Sequence, residues 1–305
     1  MCAACDRFLP PGLPAERVAA RIGLISDTHM PDRCSALPPT LFEVLRGVDL
    51  LLHAGDVGEL WLLDRLSAIA PVIAVHGNDD TADAQRELPY QQVLAIAGRR
   101  VVLTHAHYTD RAQELESRKD DRWGPKLDRR AAFARRAAAS VVVFGHTHVP
   151  MRIEYDGVLL INPGAIAPPN YATRQRIQTV ALMFLRHDER AAVVHIDLAA
   201  TDRVFEPRID YDAGFEAAHS QFSQSILAPD LAAIWKKLER YGQALGPDER
   251  AMLRAGARRI QERCWSGEQA SITGADLLSE VRAMPDLPVE IRTQIEAMLM
   301  GHERD

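Results

Sequence analysis

The chain has 305 residues, 47% hydrophobic and 26% charged, with 36 basic against 42 acidic side chains and a formal net charge of -6. That composition suits an ordinary globular protein with room for two domains of roughly 100–200 residues, and without an overall basic balance it argues against a surface for extended nucleic acid. No apolar run reaches the ~20 residues of a membrane-spanning helix, and the first twenty residues lack a signal-peptide core, so no membrane association and a cytoplasmic location are expected.

Residues 1–20 read as a flexible N-terminal extension carrying a lone C-x-x-C, Cys2 and Cys5; with only Cys34 and Cys264 besides, no disulfide framework is expected. Residues 22–25, 48–54 and 71–75 are short, nearly continuous apolar runs separated by stretches of helical spacing. Such runs suit strands buried on both faces, so the chain opens as β-α-β-α-β with parallel strands. The pattern then changes to hairpins: 92–104 about Gly98, 151–161 about Asp156-Gly157, and 177–198 about Asp188-Glu189. Between the first two lies 108–139, polar and then rich in Ala and Arg, ending in a helix over 128–139 whose Arg129, Arg130, Arg135 and Arg136 read as a solvated face.

Beyond Asp197 the strand signal stops. Residues 213–226, 229–245, 248–264, 274–284 and 288–300 read as helices, with Pro247 and Pro288 near starts and Thr273 a cap. Ile234, Leu238, Tyr241 and Leu245 form one apolar stripe, and Val289, Ile291, Ile295 and Met298 contribute to another. The expected division is therefore 21–199 as a mixed α/β domain, 200–212 as a linker and 213–305 as a helical module of unknown role. Charge divides at the same place: residues 1–200 carry 23 basic and 24 acidic side chains, the remainder 13 and 18.

Seven of the 11 histidines lie between His29 and His148. Five blocks stand at the ends of expected strands: Ser26-Asp27-Thr28-His29, His53-Ala54-Gly55-Asp56, Gly77-Asn78-Asp79-Asp80, Thr104-His105-Ala106-His107 and Gly145-His146-Thr147-His148. Ligands of open α/β folds gather beyond the carboxyl ends of strands, so five separate blocks can converge on one site. Aspartate oxygen from Asp27, Asp56 and Asp80, imidazole nitrogen from His29, His105, His146 and His148, and the amide oxygen of Asn78 together suit Mn²⁺, Fe²⁺, Zn²⁺ or Ni²⁺ better than Ca²⁺. In D-x-H and H-x-H, alternate residues of an extended segment point the same way, which would bring both side chains to one cluster.

The joint pattern resembles the calcineurin-like metallophosphoesterases, and within them the YfcE-type bacterial phosphodiesterases, over about residues 22–198: D-T-H, G-D, G-N-x-D, T-H-x-H, G-H-T-H and the I-N-P-G of Ile161 to Gly164. The resemblance implies an α/β fold, a four-layer α/β/β/α sandwich of two mixed sheets, with the C-terminal all-helical module outside it. It also implies that Asp27, His29 and His148 hold one metal, that Asn78, His105 and His146 hold a second, and that Asp56 bridges them. The cofactors are then two divalent ions, Mn²⁺ first, with Ni²⁺, Fe²⁺ and Zn²⁺ as alternatives. The activity is hydrolysis of a small phosphoester, a diester before a monoester, by in-line attack of a metal-bridging hydroxide. A non-catalytic scaffold is the reading from another class, since the retromer subunit shares the fold; the complete ligand set argues against it. The apolar stripes leave homo-oligomerisation open.

Three positions depart from the family pattern. Asp79 follows the motif Asn where relatives carry His or Cys, Ala106 stands where Gly is usual, and Ala165 where Ser commonly follows N-P-G. Next to two cations a carboxyl is held ionised, which makes Asp79 a poor acid. His107 is the better side chain for substrate and for proton transfer at the leaving oxygen, so Asp56 and His107 are the expected catalytic residues, and Asn78 and His107 the substrate contacts. His53 is expected to support the second block through a hydrogen bond, and His76 to line the pocket. Asn162 and Gly164 would shape a turn beside the site, while His187, His195, His219 and His302 default to solvent or core.

Overall fold

The computed structural model of the chain describes residues 3–188 and 191–301. Cys2, Glu189 and His302 lie outside the described residues. Elements in chain order are β1 (Val18–Ile25), α1 (Pro39–Val44), β2 (Leu50–His53), α2 (Trp61–Ser67), β3 (Val72–Ala74), α3 (Ala82–Glu87), β4 (Gln91–Ile96), β5 (Arg99–Thr104), α4 (Arg111–Ser117), α5 (Trp123–Ala137), β6 (Val141–Phe144), β7 (Met151–Tyr155), β8 (Val158–Asn162), β9 (Thr173–Gln175), β10 (Thr179–Arg186), β11 (Ala191–Asp197), α6 (Phe215–Phe222), β12 (Ser223–Ser225), α7 (Pro229–Ala244), α8 (Pro247–Trp265), α9 (Gly274–Arg282) and α10 (Val289–Met300). They form two compact units, one of residues 1–169 and 175–223, the other of 170–174 and 224–305.

The first unit holds two five-stranded sheets, ordered β11-β10-β1-β2-β3 and β4-β5-β6-β8-β7. Both are mixed. In the first sheet β1, β2 and β3 run parallel while β10 lies antiparallel to β1. In the second, β5, β6 and β8 run parallel, flanked by antiparallel β4 and β7. The apolar runs are continuous because both strand faces are covered. Ile22, Leu24 and Leu52 of the first sheet meet Leu103, Val141, Val143 and Ile161 of the second in one buried cluster between the sheets. A second cluster joins Ile25, Leu51 and Phe184 to Leu41, Leu45, Leu62 and Leu66 around α1 and α2. A third joins Val102, Val142, Phe144 and Leu160 to Phe133 of α5 and to Ala218 and Phe222 of α6. Helix, sheet, sheet and helix thus stack as four layers.

Three expectations change. The N-terminal residues are packed against the body: a 3-10 turn at Ala4–Phe8 buries Cys5 and Phe8 in the first sheet's outer cluster, and Asp6 receives Arg21 Nε at 2.6 Å. α6, assigned from its helical pattern to the C-terminal module, belongs to the first unit because Ala218 and Phe222 complete the cover of the second sheet. The arginines of α5 are not one solvated face. Arg130 is buried over the Phe144 ring and Arg129 turns inward to Tyr90, while Arg135 and Arg136 fit the expectation, both exposed and Arg135 paired with Asp156 at 2.5 Å.

The second unit is helical. Leu231, Ile260, Val281, Ile295 and Met298 make its core, with Ile234, Leu238, Tyr241 and Ile291 packed on it, so both apolar stripes are mainly core; Val289 is exposed. Residues 170–174 join this unit through Trp265 Nε1, which donates to the Thr173 carbonyl at 2.8 Å, and Gln261 Nε2, which donates to the Tyr171 carbonyl at 3.1 Å. Among the described residues no helix is long and apolar enough to cross a membrane.

Candidate metal centre

In register, Ile25 of β1 stands beside His53 of β2, His53 beside Ala74 of β3, and Thr104 of β5 beside Phe144 of β6. All five blocks therefore begin at flush carboxyl ends of parallel strands, which is the condition for their convergence. The D-x-H and H-x-H segments are not extended as the alternation argument requires. Asp27, His29, Asp56, Ala106, His146 and His148 have φ of 53°, 43°, 51°, 68°, 72° and 55°. Left-handed backbone at non-glycine residues persists where the surroundings over-determine it, and here the loops are tied together. Asp27 N donates to the Gly55 carbonyl at 3.0 Å, His29 N to the Asp56 carbonyl at 2.9 Å and His146 N to Asp27 Oδ2 at 3.1 Å.

The side chains meet in a buried cluster. Asp27 Oδ1 lies 3.2 Å from His148 Nε2, and Asp56 Oδ2 lies 3.2 Å from His105 Nε2 and 3.5 Å from His29 Nε2. The rings of His29 and His148 stack with centroids 5.5 Å apart. Three sets bring their ligand atoms within 4.8 Å of one another: Asp27, His29 and His148; Asp27, Asp56 and His105; and His29, Asp56 and Asp79. Burial pushes the Asp56 carboxyl up, but His105 and His29 outweigh it and hold it well below the usual range. Asp27 is likewise lowered by His148 and His105 against its burial. His105 is raised to about 10, burial being overcome by Asp56, while burial keeps His29 well below an ordinary histidine.

The donor set fits a metal. His29 Nε2, His105 Nε2 and Asn78 Oδ1 are buried without a hydrogen-bond partner, an arrangement that costs free energy unless something completes it. His105 Nδ1 meets the Ala54 carbonyl at 2.8 Å, which keeps a proton on Nδ1 and makes Nε2, the nitrogen facing Asp56, the one that would give up its proton to ligate a cation. Asn78 Nδ2 donates to Asp79 Oδ1 at 2.8 Å, so the amide oxygen is the end left over. Two glycines make the approach close enough: a Cβ at Gly77 would lie 2.0 Å from Asp56 Oδ1, and one at Gly145 would lie 2.0 Å from Ser26 Oγ.

The remaining expected residues are placed as follows. His107 is buried, its Nδ1 has no partner, and its ring stands 5.4 Å from His105 and 5.7 Å from His76. Tyr90 Oη and Arg129 Nη2 each donate to its carbonyl at 2.5 Å. His53 supports the G-D of the second block indirectly, through Thr28 Oγ1 at 3.0 Å, which in turn lies 3.3 Å from the Asp56 carbonyl and 3.0 Å from that of Val57. Asp80 is turned away from the cluster, accepting Gly58 N at 2.6 Å and Gly77 N at 2.7 Å, and burial with Asp56 raises it to about 6. Asn162 shapes its turn as expected: Nδ2 donates to the Gly145 carbonyl at 2.9 Å and Oδ1 accepts Gly164 N at 2.8 Å. His187 is exposed, His195 is buried with Nε2 donating to the Asn162 carbonyl at 2.8 Å, and His219 stacks on Phe215.

Two charged residues at the centre were not singled out from the sequence. Arg33, four residues after the D-T-H block, is buried beside His29 Nδ1 and pairs with Asp79 Oδ2 at 2.6 Å. Glu114 of α4 is buried, with Oε1 2.9 Å from His146 Nε2. Neither belongs to a short motif, and a charged residue in a polar stretch ordinarily reads as solvent-facing.

A family model described as the calcineurin-like phosphoesterase superfamily domain matches residues 21–188. The chain is 34% identical over 167 residues to a probable metallophosphoesterase of Methanothermobacter thermautotrophicus, covering 55% of this chain and 86% of that protein. It is 33% identical over 148 residues to another from Methanocaldococcus jannaschii, covering 48% and 69%. Among solved structures, wild-type Vps29 of Entamoeba histolytica complexed with zinc aligns with a TM-score of 0.46 and 22% identity, covering 63% of this chain and 99% of that one.

Proposed function

The chain belongs to the calcineurin-like phosphoesterase superfamily, and from that premise we propose that it is a two-metal phosphoesterase that cleaves phosphodiesters in preference to monoesters. One observation carries the reading: five strand-end blocks deliver a buried cluster in which His29 Nε2 and His105 Nε2 face Asp56 Oδ2 at 3.5 and 3.2 Å without completing a hydrogen bond, and Asn78 Oδ1 is buried without a hydrogen-bond partner. Asp27, His29 and His148 are assigned to one cation, Asn78, His105 and His146 to the other, and Asp56 to both. Two such ions, Mn²⁺ first, would supply a nucleophilic water at neutral pH and neutralise the phosphate oxygens.

The protein's own groups hold this arrangement. The Ala54 carbonyl fixes the His105 ring, Asp79 N donates to Asp56 Oδ1 at 2.9 Å and so turns its other oxygen toward the histidines, and Asn162 steadies the loop of His146 and His148. Asp79 is committed to Arg33 and to the Asn78 amide, which supports assigning the leaving-group contact to His107 and its partnerless Nδ1. Preference for a diester rests on the wall beside the centre. His76, Tyr90 and His107 have ring centroids 5.0–5.9 Å apart, Tyr90 edge-on to His107 and His76 tilted against both, a grouping suited to a second organic substituent rather than to the extra charge of a monoester.

The test is metal-free protein reconstituted with Mn²⁺ or Ni²⁺ and offered bis(p-nitrophenyl) phosphate beside p-nitrophenyl phosphate. Activity is expected only with metal, and faster on the diester; Asp56→Ala and His105→Ala are expected to abolish it. Full activity in excess chelator, or in Asp56→Ala, would refute the assignment.

A further inference from the structure

Glu114 is a carboxylate in a polar stretch, yet it is buried with three donors on it. Oε1 lies 2.9 Å from His146 Nε2 and 2.8 Å from Arg118 Nε, and Oε2 accepts Tyr108 N at 3.0 Å. A buried carboxylate needs such partners to offset desolvation, and a histidine ring nitrogen facing a carboxylate carries the proton. The other ring nitrogen then keeps its lone pair. This is the carboxylate–histidine arrangement that fixes tautomer and ring orientation at metal sites. His105, on the neighbouring strand end, is fixed the opposite way, its Nδ1 on the Ala54 carbonyl.

We propose that Glu114 is a positioning residue: it binds the Nε2 proton of His146, presents Nδ1 as the metal-ligating nitrogen, and fastens α4 to the centre through His146 and Tyr108 N, while Arg118 pairs with it within the helix. The proposal rests on the two-metal reading above. It makes α4 more than a rim helix, because the affinity of the His146 site depends on that helix being docked. It also gives His105 and His146 different ligating atoms, set by a backbone carbonyl in one case and a side chain in the other.

The experiment uses the full chain, labelled with ¹⁵N-histidine, first metal-free and then titrated with Zn²⁺ as a diamagnetic probe. In the metal-free protein, long-range ¹H–¹⁵N correlations are expected to show His146 protonated at Nε2. Calorimetry is expected to show two Zn²⁺ equivalents in the unaltered chain. Glu114→Ala is expected to scramble the tautomer and weaken the second equivalent on the order of 10- to 100-fold, leaving the first within twofold. Glu114→Gln retains an acceptor oxygen and is expected to keep the tautomer and most of the affinity; it serves as the folded control if Glu114→Ala melts early.

An Nδ1-protonated His146 in the unaltered chain overturns the proposal. So does a folded Glu114→Ala that binds both equivalents as before while the unaltered chain binds two, and in that case the two-metal reading survives. Fewer than two equivalents in the unaltered chain removes that reading and this proposal with it.

Discussion

A single methyl group tests how tightly the centre is drawn. The Cβ of an alanine at position 77 would sit 2.0 Å from Asp56 Oδ1 and 2.6 Å from the Asp56 nitrogen, distances that force either the carboxylate or the loop to move. Gly77→Ala is expected to lose at least one bound metal equivalent and more than tenfold in rate, read by metal analysis and by diester turnover; retention of both equivalents would show that Asp56 does not need this position. Asp79→Asn is expected to cost less than tenfold, below the 10²–10⁴ of a general acid, because Asp79 is already engaged by Arg33 and Asn78 and an amide keeps an acceptor oxygen for one of these two donors. His195 gives a pH dependence away from the proposed ligands. An ordinary histidine titrates near 6.5, whereas burial, partly offset by the bond to the Asn162 carbonyl, holds His195 at about 4. The unfolded chain therefore takes up a proton that the folded chain refuses. Its stability contribution is intact above about pH 6.5 and is lost as pH falls to about 4, by about 3 kcal/mol in all. Urea unfolding across that range should fall less steeply in His195→Gln than in the unaltered chain, and parallel curves would exclude His195 as a source.

Elements differ in how far their residues announce them. β1, β2 and β6 are continuous apolar runs, and β4 with β5 and β7 with β8 fold about Ala97-Gly98 and Asp156-Gly157, all four at positive φ; the turn chemistry favours Gly98 and Asp156-Gly157 at those positions, whereas Ala97 is not a residue it selects. Thr273 is the N-cap of α9 as expected: its Oγ1 accepts Asp276 N at 3.1 Å and Asp276 Oδ2 accepts Thr273 N at 2.9 Å. Thr273→Ala should lower unfolding free energy by about 1 kcal/mol, seen as a shift in denaturation midpoint. α4 and α5 were harder to read. The burial of Glu114 and Arg130 comes from partners distant in sequence, Glu114 meeting His146 and Arg130 lying over Phe144, and no local periodicity contains them. The same holds for α6, whose Phe222 is buried at 1% exposure in the outer cluster of the second sheet. Phe222→Ala should cost about 3–5 kcal/mol, a value that an appended, loosely packed helix would not give.

At the level of the whole molecule, the first unit draws its three clusters from residues up to Phe222. Ending the chain at residue 223 should preserve cooperative melting and metal uptake, whereas ending it at 199 should uncover the outer face of the second sheet and raise dye binding to exposed apolar surface. Equal behaviour of the two truncations would remove α6 from the first unit. The sequence by itself determined the strand runs, the hairpin turns, the order of the five blocks and the residue types around the centre, because apolar burial, turn conformation and ligand chemistry are properties of short segments. It also placed the shift in charge near residue 200, which separates a nearly neutral portion from an acidic helical one but not the two compact units. Only the tertiary structure decided that the D-x-H and H-x-H segments converge through left-handed loops, that Arg33 and Glu114 join the centre, and that Asp80 turns away to backbone nitrogens. Each of those outcomes depends on at least one partner more than 20 residues away in the chain, such as Asp79 for Arg33, His146 for Glu114 and Gly58 for Asp80, and a hydrogen bond between such partners is fixed only when the strand ends are brought together.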